Sequence, residues 1–180
     1  QGAEVFENAR VYGRAFVLGT AQVFGYAIIN DYATVGGSAQ VYGNAVVSNN
    51  ARVFFSHCTR DISRPENIMM SIKCQTGLEV MNGHVYAYKH VREDLGSLYD
   101  PKFKYKVGEY AEVEEYDTNP LNSCSTGLHV SNACYWEGQD QNGRKVIKVR
   151  VALDDIISVQ AGKIRCKKLF VMGICDSEVF

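Results

Sequence analysis

Three residues of types that often carry chemistry occur at equal intervals in the segment NSCSTGLHVSNACYWEG, residues 122–138. Cys124, His129 and Cys134 are each separated by four residues. Cysteine and histidine are the usual ligands of zinc in proteins, although this chain has no Cys-x-x-Cys pair. A further ligand would come from Cys166, or from the adjacent His57 and Cys58. The segment is therefore a candidate Cys/His zinc site.

Cys124 and His129 also have the residue types of a nucleophile and its general base. The sequence offers neither an orienting acid nor an oxyanion-hole motif to complete such a site. The simplest interpretation is structural: a tight turn at Gly127, a hydrogen-bonded His129 under a sheet, and cysteines that act as small buried hydrophobic residues. We therefore expect no catalytic residue, metal or cofactor. An enzyme that uses Cys124 and His129, with or without zinc, remains the alternative.

Basic and apolar residues alternate in two later segments, 145–153 and 162–175. This alternation places the basic side chains on one face of an extended strand. A basic face of this kind can bind a phosphate or another small anion. The candidate binding residues are Lys148, Arg150, Lys163, Arg165 and Lys167. Glu112 and Glu114 alternate in the same way, so cross-strand ion pairs are the alternative.

The N-terminal segment repeats a six-residue unit without interruption. Alanine recurs every six residues from Ala3 to Ala51, and an aliphatic residue lies two positions after each alanine, from Val5 to Val53. This spacing places both side chains on one face of an extended segment. Two residues further comes a turn position, occupied in order by Glu7, Gly13, Gly19, Gly25, Asp31, Gly37, Gly43, Asn49 and Phe55. The pattern predicts nine short strands separated by turns.

Units this short cannot bury an apolar face alone, so they must stack on one another. Residues 3–54 resemble the hexapeptide-repeat left-handed parallel β-helix family, in which three units make one triangular coil. The resemblance implies three coils, with residues eighteen apart in columns, and often a parallel homotrimer. Many members are acyltransferases or carbonic anhydrases that use histidines, whereas residues 1–56 contain none. We expect this tract to make contacts and not to do chemistry.

Two outward columns of the stacked coils are largely apolar. They consist of Phe6, Phe24 and Tyr42 at a corner, and of Arg10, Ile28 and Val46 on a face. Apolar surface of this kind is typical of a contact surface. We expect these six residues to join copies of the chain into an oligomer, with a trimer favoured. Packing against the C-terminal half of the same chain is the alternative.

Composition limits the partners and the compartment. The chain carries 19 Lys and Arg against 20 Asp and Glu, so we expect no non-specific nucleic-acid binding. No apolar run approaches the roughly 20 residues of a membrane-spanning helix, so no membrane partner is expected. All six cysteines follow the repeats. A chain of this size without a leader is expected to be cytoplasmic and reduced.

The pattern changes after the repeats. We predict a β-helix over residues 1–55, a connector over 56–66 and a small β-rich α+β domain over 67–180, so that the fold class is mainly β. Asn82-Gly83 between two apolar runs is a strong hairpin signal. The predicted strands are 67–74, 78–80, 84–91, 102–107, 110–116, 145–153, 156–160 and 162–175. Only residues 131–137 read as mildly helical.

Three motifs in the second half, VYAYKHV, FKYKVGEY and CSTGLHV, give residues 84–175 a resemblance to a known domain. The domain is a small one of bacteriophage proteins, found in relatives of phage rapid-lysis accessory proteins. The run GNAVVSNNARVF resembles the repeats that precede such domains. The resemblance implies a phage or prophage source and the cytoplasm of an infected bacterial host, and it supplies no catalytic residues.

We therefore expect a non-enzymatic accessory protein. The β-helix would drive oligomerisation and display a C-terminal domain that binds a host factor or a small anionic ligand. Action against host defences would suit such a protein.

Overall fold

The computed structural model describes residues 2–137 and 143–175 of the chain. The fold is mainly β, as the sequence predicts, and contains two compact units. The first, here called the solenoid unit, comprises Gln1–Glu79, Thr118–Ser125 and Ser158–Lys163; the second, the sheet unit, comprises Val80–Asp117, Thr126–Ile157 and Ile164–Phe180. These limits do not coincide with the predicted boundaries at 55 and 66. Among the described residues, no helix has both the length and the apolar character needed to span a bilayer.

The repeats form a β-solenoid of three turns. Its strands are β1 (Glu4–Val5), β2 (Arg10–Val11), β3 (Phe16–Val17), β4 (Gln22–Val23), β5 (Ile28–Ile29), β6 (Thr34–Val35), β7 (Gln40–Val41), β8 (Val46–Val47) and β9 (Arg52–Val53). Each strand pairs in parallel with the strand one turn further on, so that Val5 lies beside Val23 and Val23 beside Val41. The order is β1-β4-β7, β2-β5-β8 and β3-β6-β9 on the three faces. The predicted stacking of three units per turn is confirmed.

Alanine and aliphatic side chains fill the interior of the solenoid. The following aliphatic residues of its second and third turns are 0 % exposed: Val23, Ile29, Val35, Val41, Val47 and Val53. Each such burial contributes about 1.5–3 kcal/mol. Val5 of the first turn is 46 % exposed, because β1 is an edge strand that pairs with β4 alone.

The turns between strands use a left-handed backbone. Eight predicted turn positions, from Glu7 to Asn49, have positive φ. The ninth prediction, Phe55, is wrong, because the neighbouring Ser56 takes the positive φ of 57°. A bulky residue is unfavourable in this region of φ, which explains the shift by one position. Strand β10 (His57–Cys58) pairs His57 with Gln40, one residue short of the regular interval.

Residues 56–66, which were predicted as a connector, continue the solenoid. Cys58 is 0 % exposed and Ile62 is 6 % exposed, and both belong to the core cluster of the repeats. The backbone N–H of Ile62 donates to Val46 O at 3.1 Å. The solenoid therefore extends beyond the end of the six-residue sequence repeat.

Residues 67–74, predicted as a strand, instead lie mostly in helix α1 (Ile68–Thr76), which follows a 3₁₀ turn at Pro65–Asn67. A short apolar run does not distinguish a buried strand from a helix, and the flanking residues decide it here. Proline suits the first turn of a helix. Gly77 ends the helix with φ 71°, and its N–H donates to Lys73 O.

Helix α1 packs on the last turn of the solenoid. Gln75, which is 3 % exposed, uses its side-chain Oε1 to accept the N–H of Arg52 at 3.1 Å. The N–H of Phe55 donates to Cys74 O at 3.4 Å. Backbone groups of an edge strand need such partners or they remain open to pairing with other chains. Helix α1 therefore caps this end of the solenoid.

The sheet unit is built on antiparallel strands. The remaining elements are β11 (Val80–Met81), β12 (His84–Arg92), β13 (Tyr110–Glu112), β14 (Leu128–Val130), α2 (Cys134–Glu137), β15 (Arg144–Ala152), β16 (Ile156–Gln160), β17 (Lys163–Cys166) and β18 (Lys168–Cys175). One sheet has the order β11-β12-β15-β18-β13. The hairpin at Asn82-Gly83 and the helical turn after residue 131 are confirmed. Within 162–175 the chain breaks at Lys167 into two strands, and 102–107 contributes only an isolated bridge at Lys104.

Candidate functional site

The six outward residues predicted as an oligomer contact, Phe6, Arg10, Phe24, Ile28, Tyr42 and Val46, are here called the flank. Its corner column is an aromatic stack. The Phe6 and Phe24 rings lie 5.0 Å apart with an interplanar angle of 8°, and the Phe24 and Tyr42 rings lie 4.9 Å apart at 5°. Stacked rings hold one another in place, and Phe6 at the end of the stack is still 39 % exposed.

The second column of the flank runs along the neighbouring face. Arg10 lies beside Ile28, and Ile28 beside Val46, in the parallel register of β2, β5 and β8. Ile28 and Val46 are half-buried and Arg10 is exposed. The two columns are thus formed as the spacing of the repeats predicts. Their use as an oligomer contact stays a prediction.

Cys124 belongs to the solenoid unit and has a basic partner there. The Lys163 Nζ atom donates to Cys124 Sγ at 3.0 Å. Lys163 is only 7 % exposed, whereas Cys124 is exposed. The sequence analysis assigned Cys124 to a zinc or catalytic site and Lys163 to an anion-binding face, and it missed this pair. The two residues are 39 positions apart, so no local pattern could have joined them.

His129 belongs to the sheet unit and contacts a different cation. Strands β14 and β17 are antiparallel and place His129 opposite Arg165. Arg165, which is 0 % exposed, donates from Nε to His129 Nε2 at 3.3 Å and from Nη1 to Asp117 O at 2.5 Å. The His129 Nε2 atom is thus used as an acceptor inside the sheet unit. Cys124 thus accepts from Lys163, and His129 accepts from Arg165.

Gly127 is needed beside this buried arginine. Its φ is 130°, and a Cβ atom placed on it would lie 2.9 Å from Arg165 Cγ. The glycine of the CSTGLHV motif therefore makes room for the aliphatic part of the Arg165 side chain. The motif is explained locally as a turn that admits a buried guanidinium, in line with the structural interpretation of Gly127 and His129.

The five candidate anion-binding cations do not form one exposed surface. Lys163 and Arg165 are buried, and Lys167 pairs with Asp155 at 3.6 Å. Arg150 lies over the Phe170 ring, with its Cζ atom 5.1 Å from the centroid. Lys148 is exposed. The basic and apolar residues alternate as predicted, but all four residues of β17 are buried, which removes Lys163 and Arg165 from solvent.

One of the expected cross-strand ion pairs is present with a different partner. Glu112 on β13 lies opposite Lys168 on β18, and their side chains are 2.8 Å apart. The sequence analysis paired the glutamates with the candidate binding cations. The register of β13 with β18, which periodicity cannot specify, selects Lys168 instead.

The cysteines of the zinc hypothesis differ in exposure. Cys134 is exposed, whereas Cys166 is fully buried and burial raises the pKa of its thiol to about 12. Within residues 2–137 and 143–175, no group of three or more His, Cys, Asp or Glu side chains is arranged to hold a metal ion. The hydrogen bond with Cys74 raises the pKa of Cys58 strongly, and burial adds to the effect. These buried thiols are not suited to reaction.

His90 is a buried histidine that the sequence analysis did not single out. It is 2 % exposed, and neither ring nitrogen has a hydrogen-bond partner among the residues that the structure describes. Its ring lies 5.2 Å from that of Trp136. Burial lowers the pKa of His90, and the nearby charges of Arg144 and Lys89 lower it further. The imidazole is therefore held neutral.

Comparison with known proteins yields one match. Residues 56–134 match a family model described as a family of unknown function, DUF5758. The match covers less than half of the chain and extends from the last turn of the solenoid, through α1 and the β11–β12 hairpin, to the first residue of α2. No curated protein and no solved structure matches the chain significantly.

Proposed function

We propose that the protein is a non-enzymatic accessory protein whose solenoid joins three copies through the flank and whose sheet unit binds a partner. The observation that carries this proposal is the flank itself. A continuous aromatic stack and an apolar column lie side by side on the solenoid, and both retain exposed surface. Contiguous apolar surface of this kind marks interaction sites more often than isolated apolar residues do.

A threefold arrangement suits the geometry of the repeats. Every turn of the solenoid has the same outward positions. The flank of one copy would therefore contact outward side chains of the next copy that are spaced by the same distance, one turn apart. The resemblance to the left-handed parallel β-helix family supports a parallel trimer in which each contact is formed three times. A closed cyclic assembly of this type leaves no flank uncovered.

The partner of the sheet unit is proposed to be a host macromolecule. Of the two expected kinds of partner, a small anionic ligand has less support, because Lys163 and Arg165 are buried and Lys167 is paired with Asp155. Lys148 and Arg150 remain as cations for the rim of a protein contact. The phage-type motifs support a phage or prophage source, the cytoplasm of an infected bacterium and action against host defences.

The assembly is tested by changing one side chain of the flank. Ile28→Lys places three charges into the proposed contact, so we expect the trimer to dissociate. Thr34→Lys is the matched control, because Thr34 is also half-buried at the centre of a face in the second turn, but outside the flank. The molar mass is measured by light scattering after size exclusion.

A wild-type monomer at micromolar concentration would reject the trimer. An unchanged mass for Ile28→Lys in a trimeric sample would place the contact elsewhere. Loss of the trimer in Thr34→Lys as well would indicate general damage to the solenoid and not a specific flank.

A further inference from the structure

The loop at residues 118–125 is held firmly against the segment 158–163 within the solenoid unit. Gln160 Nε2 donates to Asn122 O at 2.6 Å, and Asn50 Nδ2 donates to Leu121 O. The backbone of the second segment is fixed as well, since the N–H of Ala161 donates to Asn50 O at 3.0 Å. The position of Cys124 relative to Lys163 is therefore set by several bonds and not by one contact between side chains.

The contact between Lys163 and Cys124 joins a buried cation to an exposed sulfur. Burial of an ammonium group without compensation is costly, and a negative partner reduces that cost. The Sγ atom of Cys124 lies 3.0 Å from Nζ, so an ionised Cys124 thiol would supply the compensating charge. Lysine beside a cysteine favours the thiolate, which is the nucleophilic form.

Gln160 belongs to the segment that holds the Cys124 loop. Gln160 is 3 % exposed, and its amide group is directed at the Cys124 loop through Nε2. Its Oε1 atom is buried and has no hydrogen-bond partner within the described part of the chain. A buried acceptor without a donor is costly.

Access separates Cys124 from the other cysteines of the same unit. Cys58 and Cys74 are buried in the core of the solenoid, whereas Cys124 is exposed on its loop. A reactive cysteine requires both thiolate character and access. Within the solenoid unit, only Cys124 combines an adjacent cation with exposure among the residues that the structure describes.

We propose that Cys124 is a peroxide-reactive thiol that Lys163 activates. The Cys124 thiolate attacks one oxygen of a hydroperoxide, the O–O bond breaks and an S–O bond forms. Sulfur is oxidised to sulfenic acid and the peroxide is reduced. The ammonium of Lys163 gives a proton to the departing oxygen, so that hydrogen peroxide yields water. This oxidation site is independent of the proposed assembly through the flank.

The first measurement is alkylation of the native protein by iodoacetamide at neutral pH, with each cysteine followed by peptide mass spectrometry. Cys134 is the internal control, because it is exposed too. We expect Cys124 to react about tenfold faster than Cys134. At neutral pH, the thiolate fraction of a cysteine rises about tenfold for each unit by which the pKa of its thiol is lowered. In urea the two rates converge, because Lys163 no longer lies beside Cys124.

The second measurement uses substitutions and the oxidant itself. Lys163→Met is expected to remove the rate difference, and Lys163→Arg to keep most of it. One equivalent of hydrogen peroxide followed by dimedone is expected to label Cys124 and not Cys134. Should Lys163→Met fail to fold, the comparison of native and unfolded wild-type protein decides. Equal alkylation rates of Cys124 and Cys134 in the native protein would overturn the proposal. The absence of a dimedone label on Cys124 would do so as well.

Discussion

The solenoid repeats and the antiparallel sheet reach their registers in different ways. In the repeats, every paired residue lies at a constant interval, as in the series from Val5 to Val23 to Val41. In the sheet unit, β12 pairs with β15, and His84 lies opposite Ala152 although no repeat connects them. A constant interval makes register a local property of the chain. Pairing between distant strands makes it a property of the whole unit.

The same contrast is visible in two glycines with the same backbone angle. Gly25 turns the solenoid and Gly83 turns the β11–β12 hairpin, and both have φ 73°. A Cβ atom on Gly25 would lie 2.9 Å from Gly43 N, whereas one on Gly83 would meet nothing within 4 Å. Stacking of turns thus adds a constraint that a single turn does not have.

The largest expected effect comes from substituting these two glycines. Gly83→Ala should cost about 1–2 kcal/mol, because only the left-handed backbone is strained. Gly25→Ala should cost about 2–5 kcal/mol, because crowding against the next turn adds about 1–3 kcal/mol to the backbone strain. Urea unfolding followed by circular dichroism measures both. Equal losses of stability in the two variants would show that neighbouring turns of the solenoid move apart to accept the added methyl group. Stacking would then add no constraint beyond that of a single turn.

A smaller effect is expected at the cap of the solenoid. Gln75→Ala leaves the N–H of Arg52 without its side-chain acceptor and should cost about 1–3 kcal/mol. Gln40→Ala is the control, because Gln40 also makes a side-chain hydrogen bond, which it donates from Nε2 to Gln22 Oε1 at 2.9 Å on the outside of the coil. We expect the control to lose less than about 0.5 kcal/mol. An equally small loss of stability in Gln75→Ala would mean that α1 does not stabilise the end of the solenoid.

The smallest effect concerns pH and belongs to the sheet unit. Burial and two nearby cations lower the pKa of His90 in the folded protein, so the unfolded chain takes up the proton first as pH falls. Stability is therefore present above pH 6.5, the ordinary value, and declines below it by at most about 1.4 kcal/mol per pH unit.

His90→Phe should remove this part of the acid response while keeping the ring contact with Trp136. Urea unfolding at pH 7.5 and 5.5, followed by the fluorescence of Trp136, compares the variant with wild type. An identical loss of stability in both proteins would assign the acid response to other groups.

Prediction from sequence succeeded where a short-range rule repeats. The alanine and valine spacing predicts strands, inward faces and columns, because the same six-residue unit occurs nine times in succession. Prediction failed at Phe55 and at residues 67–74. The repeat ends there, so the backbone conformation depends on individual residues and not on a repeated pattern. Flanking Pro65 and Gly77 were available signals for α1.

The candidate sites show the same limit. Cys124, His129 and Arg165 were singled out because their residue types carry chemistry, but the contacts that these three side chains make were not predicted. Lys163 reaches Cys124, and Asp117 O accepts from Arg165, only because distant segments are brought together. Spacing along the chain contains no information on such contacts.

The amino-acid sequence by itself determined the β-solenoid, eight of its nine turn positions and its outward columns, since stacking at a constant interval needs only local side-chain periodicity. The tertiary structure alone decided which thiol lies beside an ammonium, which arginine is buried and which histidine is kept neutral. Those properties depend on burial and on contacts between segments far apart in the chain, and both arise only when the chain has closed around them.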